Sequence, residues 1–471
     1  MAEGTLTPEL CVLGGGDGAA AMAVAAASLG LQVVLLRGGN ANREAPPAFR
    51  QVHALAAAAA SIAGMRRGAR FGADLQEPTL DFARMRQGAQ ETIADLARNE
   101  SDARLTALGV RVIRADGRFM DSATVAAGNH EIRPRRFLIA PSFAPVIPQI
   151  RGLPKTPHLT ADRILDLREC PRRLVVVGAG ATGLSLAQSF RRFGAEVTVL
   201  EKAEPLAGED RDCANLLLEA LEREGISIHS GADVERVEGK KGELRVFFRK
   251  NGDARTIETT HLLLAAGWRM DLDSLGLDLA GIETDANGIR IGADLRTNNS
   301  RVFVAGNGPG LPQADAWHAR LVLADLMFRM RLRPNASLVA RATATDPALA
   351  HVGLSEDAAH ERHGKIQILR WPFAENEASA IAREGKGMIK LVTTPHGRFL
   401  GVTILGAGAG ELIAPYALAI SRRLHLGTLA APIFPHPARG EIGQQAALSG
   451  LRGGLTSPWV RRIIAAMRWF G

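Results

Sequence analysis

Two glycine-rich stretches of the chain have the residue types and spacing to cradle a pyrophosphate. The first is Cys11–Ala19 (CVLGGGDGA), which leads through an Ala-rich segment to Gly30 and then Val33–Leu36. The second lies 164 residues further on, Val175–Gly183 (VVVGAGATG), leading to Gly194 and Val197–Leu200. In each, the first glycine (Gly14, Gly178) makes a sharp turn. The second (Gly16, Gly180) lets backbone amides approach a phosphate, and the third small residue (Ala19, Gly183) lets helix pack on strand. The positive end of the following helix then faces the anion. Each stretch is set between a short apolar strand, a helix and a second β-rich strand, the context that a lone glycine motif lacks. The spacing predicts two dinucleotide sites.

The residue ending the second strand separates the two units. Glu201 stands 23 residues after Gly178, where a carboxylate reads ribose hydroxyls and repels the 2′-phosphate of NADP, so NAD is the expected ligand. Arg37 stands 23 residues after Gly14, and the first turn carries Asp17 where the second has Ala181. The second site reads as intact and the first as altered.

The elements that must position these residues belong to a chain of 471 residues, enough for two to four domains, with the 46% hydrophobic and 23% charged content of a globular protein. Three cysteines, Cys11, Cys170 and Cys213, are too few and too dispersed for a disulfide framework or a cysteine-built metal site. No apolar run reaches the roughly 18 residues of a membrane span, and the start Met1–Gly4 lacks a signal-peptide pattern, so a soluble cytoplasmic protein is expected. The net charge of +8 comes mostly from dispersed arginines, and four of them (Arg452, Arg461, Arg462, Arg468) lie in the last 21 residues with no acid. That distribution gives no nucleic-acid footprint.

With further landmarks added, the chain resembles the flavoprotein (pyridine nucleotide-) disulfide reductases, most closely the mercuric reductase and dihydrolipoamide dehydrogenase-like members, over about residues 8 to 450. The landmarks are Gly117–Phe119 (GRF), Phe137–Ala140 (FLIA), Leu262–Gly267 (LLLAAG), Arg301–Asn307 (RVFVAGN), Asp346–Leu354 (DPALAHVGL) and His436-Pro437 with Glu441. The resemblance implies an α/β protein with two Rossmann-like domains and a C-terminal α+β dimerisation domain. The FAD domain would be 1–150 and 266–335, with an NAD domain inserted at 151–265, the dimerisation domain at 340–450, and a basic tail at 451–471. It further implies a homodimer in which NADH reduces FAD, with Gly117, Gly267, Gly306 and Asn307 at the cofactors. His436 would then be an acid/base tuned by Glu441.

The departures from the family pattern concern the electron path. The family's redox motif carries two cysteines; in register, Gly38–Arg50 (GGNANREAPPAFR) has Ala41 and Pro46 there. Neither side chain can form a thiolate, so thiol–disulfide exchange by the family mechanism is excluded. Arg37 replaces the ribose-binding acid and Pro141-Ser142 replaces Thr-Gly. Asn307 replaces a ribityl-binding Asp, and the Lys–Glu pair beside the flavin becomes Arg50 and Ser185. The alternative role for Arg37 is to face the adenosine phosphates of a flavin held differently.

Remaining features are read more simply. His360 and His363 sit among Glu356, Asp357 and Glu361 and suggest an exposed helix rather than a metal site, and no metal is expected. Ala56–Ala60 reads as a packing helix. From Pro458 the apolar Trp459, Val460, Ile463, Ile464, Met467 and Phe470 share one helical face, with arginines elsewhere, which fits either an anchor on anionic lipid at the inner membrane face or a helix packed on the dimer. The expected activity is FAD-dependent NADH oxidation with a non-disulfide acceptor: a quinone, a metal ion, oxygen or a redox protein. The rival is a degenerate relative acting as an NAD-binding sensor or partner protein. A hydroxy-acid dehydrogenase is disfavoured, because no second catalytic constellation accompanies the NAD motif.

Overall fold

The computed structural model describes residues 4–15, 17–38, 48–73, 80–285, 288–306, 312–455 and 458–469. The chain divides into two compact units. One comprises Met1–Gly178, Arg192–Ala195 and Asp233–Pro334; the other comprises Ala179–Arg191, Glu196–Ala232 and Asn335–Gly471. The division cuts the expected 151–265 segment at Gly178 and at Ala232.

In the first unit a parallel five-stranded sheet runs in the order Val302–Val304, Arg136–Ile139, Leu10–Leu13, Val33–Arg37, Val110–Arg114. Its central strands are continuous apolar runs, as burial on both faces requires. Alternate residues go to opposite faces. Leu10, Val12, Leu35, Leu138 and Phe303 join one core cluster, and Cys11, Leu13, Leu36, Phe137 and Ile139 join the other. The helix Asp17–Ser28 packs on the helix Pro312–Phe328, and its Ala19, Ala20, Ala23 and Ala26 are buried in the core cluster that also holds Leu10, Val12, Ala319 and Val322. The Ala-rich run 56–60 lies inside the helix Ala48–Gly68, as its composition predicts. The strand before the second glycine motif, Arg173–Val177, pairs in parallel with His261–Leu264, which also pairs with Leu159–Thr160.

In the second unit the helix Ala181–Arg192 follows the second glycine motif, and Glu196–Leu200 pairs in parallel with Ser227–His229. A five-stranded antiparallel sheet, ordered Arg341–Ala342, Ala348–Gly353, Phe399–Gly406, Met388–Thr393, Gln367–Pro372, forms the rest of its core with the helices Ala414–Ser421 and Glu441–Leu455. Lys390 on this sheet is 3% exposed and lies 2.6 Å from Asp210, 2.6 Å from Glu356 and 2.8 Å from Asp212. Asp210 also caps the helix Arg211–Arg223 by accepting from the Cys213 amide. This cage fixes that helix to the sheet.

Candidate functional site

The first glycine turn lies where parallel strands end. Gly14 adopts φ +133°, and a Cβ there would fall 1.8 Å from the Ala140 carbonyl oxygen, so only glycine fits. Gly14 and Gly15 border a cleft of about 350 Å³ that continues past Leu36, Arg37, Gly38 and Gly117 to Pro141 and Ser142. Gly117 is packed so closely that a Cβ would lie 2.6 Å from Leu36 Cδ1. Ala19 is buried at the third motif position, as helix-on-strand packing demands. At the end of Val302–Val304, Gly306 has φ +80° and donates its amide to His318 Nδ1 at 3.3 Å, and burial pulls the His318 imidazole below its ordinary value. A Cβ at Gly18 or Gly306 would collide with Asp315. Gly16, Asn307, Ala41 and Pro46 lie outside the described residues, as does the Asp17 side chain.

Arg37 does not reach out as a lone cation. Its Nη1 donates to the Glu100 carbonyl at 2.6 Å and pairs with Asp102 at 3.2 Å. Arg114, its neighbour across the strand register, also binds Asp102, and Arg50 pairs with Glu100 at 2.7 Å. Glu100, Asp102 and Arg114 were not singled out by the sequence, since no local spacing links them to the glycine motif. Ser185, in turn, is buried and donates to the Ala181 carbonyl inside its own helix.

At the second turn Gly178 has φ +111°, and a Cβ there would lie 2.3 Å from the Ala265 carbonyl oxygen. Gly180 is exposed and Gly183 buried in the helix. The Glu201 carboxylate accepts from the Ala179 amide at 2.7 Å and the Ala203 amide at 2.9 Å, which holds it beside the turn. Gly267, at φ +112°, accepts at its carbonyl from the Val146 amide at 2.9 Å.

In the second unit His436 Nδ1 lies 3.1 Å from Glu441 Oε1, while Glu441 Oε2 accepts from the Ala438 amide at 2.8 Å. A second carboxylate, Glu377, sits 3.3 Å from His436 Nε2, and sequence reading missed it because it comes from a separate helix, Glu377–Ile381. The hydrogen bond and charge of Glu441, then the charge of Glu377, push the imidazole above its usual range. The Glu441 carboxyl is held below its own by the Ala438 amide and His436.

The thiols sit elsewhere. Cys11 and Cys213 are buried, which raises both, and burial pushes Cys170 to about 11. His360 and His363 are exposed on the helix Glu356–His363, whose Glu356 belongs to the Lys390 cage. The helix Pro458–Met467 leaves Ile463, Ile464 and Met467 exposed, followed by Trp469 at 91% exposure. Among the described residues no helix is long and apolar enough to cross a membrane.

Known proteins share this architecture. The family model for pyridine nucleotide-disulphide oxidoreductases matches residues 8–319, and the model for the dimerisation domain of those enzymes matches 339–447. A mercuric reductase of Lysinibacillus sphaericus is 33% identical over 72% of this chain, and the match spans 63% of that relative's length. Dihydrolipoyl dehydrogenase 3 of Pseudomonas aeruginosa is 30% identical, covering 93% of this chain and 97% of its own. The Cu(II) complex of the HOCl-induced flavoprotein disulfide reductase RclA from Escherichia coli has the same fold, with a TM-score of 0.82 at 23% identity over 94% of this chain and 99% of that one. Two glycine turns that admit no side chain, the cleft beside the first and the matches along both segments agree: the chain belongs to the pyridine nucleotide-disulphide oxidoreductase family, oxidoreductases whose members bind FAD and NAD(P).

Proposed function

We propose that this protein is a homodimeric, FAD-dependent NADH oxidoreductase that passes electrons to an acceptor other than a disulfide. The observation carrying this reading is the pairing of two glycine turns that admit no side chain with the loss of both redox cysteines, which Ala41 and Pro46 replace. The remaining thiols offer no substitute: two are buried, and the third is held protonated at neutral pH.

The first cleft fits FAD. Its glycine turn admits no side chain at Gly14, which leaves backbone to approach a phosphate, and Gly14, Gly15 and Gly117 line the cleft. The chemistry that bound FAD supplies is acceptance of a hydride from NADH and release of two electrons to an oxidant. Gly178, Gly180, Gly183 and Glu201 hold NADH, and the Glu201 carboxylate disfavours a 2′-phosphate. His436, whose imidazole Glu441 and then Glu377 push above its usual range, donates a proton to the reduced acceptor. A quinone, which takes up two electrons and two protons, matches that role. The exposed apolar residues and arginines of the C-terminal helix suit contact with anionic lipid, where such an acceptor resides.

The test is anaerobic addition of NADH to purified protein, followed by an acceptor screen with a soluble quinone, Hg(II), oxygen and lipoamide. Bleaching of flavin absorbance and turnover with one of the first three are expected. A colourless protein that takes up no FAD overturns the enzyme reading in favour of an NAD-binding sensor, and lipoamide reduction at comparable rates overturns the choice of acceptor. Co-sedimentation with anionic vesicles, lost on removal of residues 456–471, tests the lipid contact; equal sedimentation of both forms refutes it.

A further inference from the structure

The strand Val33–Arg37 ends in a residue that cannot do what its position asks. A ribose diol is read best by a carboxylate that accepts from both hydroxyls, whereas a guanidinium has donors and no acceptor. In this structure Arg37 is turned to another task. It donates to the Glu100 carbonyl at 2.6 Å and pairs with Asp102 at 3.2 Å, and Arg114 from the adjacent strand grips the same Asp102. The two strand-end arginines thereby pin the turn between the helices Phe82–Arg98 and Asp102–Ala107 against the mouth of the cleft.

That turn delivers Glu100 into the cleft lined by Gly14, Arg37 and Gly38. Arg50 holds one carboxylate oxygen of Glu100 at 2.7 Å, and the other makes no hydrogen bond among the described residues. We propose that Glu100 is the carboxylate that reads the adenosine ribose of the flavin nucleotide, taking over from the acid lost at position 37. The assignment rests on the flavin reading above. It also settles the charge at this end of the cleft. Arg37 and Arg114 are paired with Asp102 and Arg50 with Glu100, and the cleft lining carries two further carboxylates, Asp116 and Asp271. A 2′-phosphate placed there would meet carboxylates, and the ligand selected is a nucleotide with a free 2′,3′-diol.

The test uses the full-length protein freed of flavin and titrated with FAD and with FMN, which lacks the adenosine, by quenching of flavin fluorescence. For Glu100→Gln, which keeps the shape and the Arg50 contact, the FAD Kd should rise about 10- to 100-fold, as expected for a lost charge-assisted hydrogen bond. The FMN Kd should stay within about twofold of wild type, since FMN carries no adenosine ribose for Glu100 to bind. On wild-type protein, FAD built with 2′-deoxyadenosine should show a comparable loss, and combining it with Glu100→Gln should add little more. An unchanged FAD Kd, or equal weakening of FAD and FMN, overturns the assignment while leaving the flavin reading intact. Wild-type protein that binds neither flavin overturns both.

Discussion

Replacing Lys390 with Met leaves a buried carboxylate without its cation, and the size of the loss follows from the exposure of each partner. Of the three acids around Nζ, Asp212 and Glu356 are 43% and 40% exposed, so each of those pairs contributes only about 0–1 kcal/mol. Both also keep Arg370, at 2.7 and 3.8 Å. Asp210 is different: it is 4% exposed, 2.6 Å from Nζ, and its other hydrogen bonds among the described residues come from Cys213. Removing one partner of a buried pair costs about 3–5 kcal/mol. At about 2–4 °C per kcal/mol for a cooperative unit of 150–250 residues, the melting temperature followed by circular dichroism should fall by about 6–20 °C.

Adding Asp210→Asn should recover most of that fall. Asn caps a helix as well as Asp and carries no charge to strand. The pH dependence provides an independent check. Hydrogen bonds from Lys390 and Arg370 hold the Asp212 carboxyl below its ordinary value, so its stabilising share is present above about pH 4 and is lost as the pH falls through the lowered folded-state value. The gap between wild type and Lys390→Met should therefore narrow in acid. A fall in melting temperature below about 4 °C, the size of one exposed pair, or no recovery in the double variant, refutes this reasoning.

Three further outcomes are expected. Glu441→Gln should lower the His436 pKa towards its ordinary 6.5, because Glu441 is the larger cause of its elevation, and Glu377→Gln should lower it less; histidine NMR titration showing the reverse order would contradict the geometry. Gly178→Ala places a Cβ 2.3 Å from the Ala265 carbonyl oxygen at φ +111°, so it should destabilise the protein by roughly 2 kcal/mol or more and weaken NADH binding, and wild-type urea stability would count against the turn's role. Thiol titration at pH 8 should find no rapidly reacting cysteine among the three, before or after reduction by NADH; a gain of two thiols on reduction would reveal a redox disulfide after all.

The sequence by itself determined the local geometry. Gly14 and Gly178 could be placed because a positive φ against a carbonyl admits no other residue, and that demand is written in a few consecutive positions. The apolar runs at 10–13 and 33–36 could be read as buried strands because period and composition are local too. The loss of the cysteine pair needed only the register. What tertiary structure decided were the charge partners. The sequence offered the adenosine phosphates as a partner for Arg37, whereas the fold pairs it with Glu100 and Asp102, more than sixty residues away along the chain. Likewise, His436 acquires a second carboxylate, and Lys390 meets acids up to 180 residues distant. Side-chain charge acts over a few ångströms in space regardless of distance along the chain. Which charges are neutralised is therefore a property of the packed fold, and no spacing in the sequence encodes it.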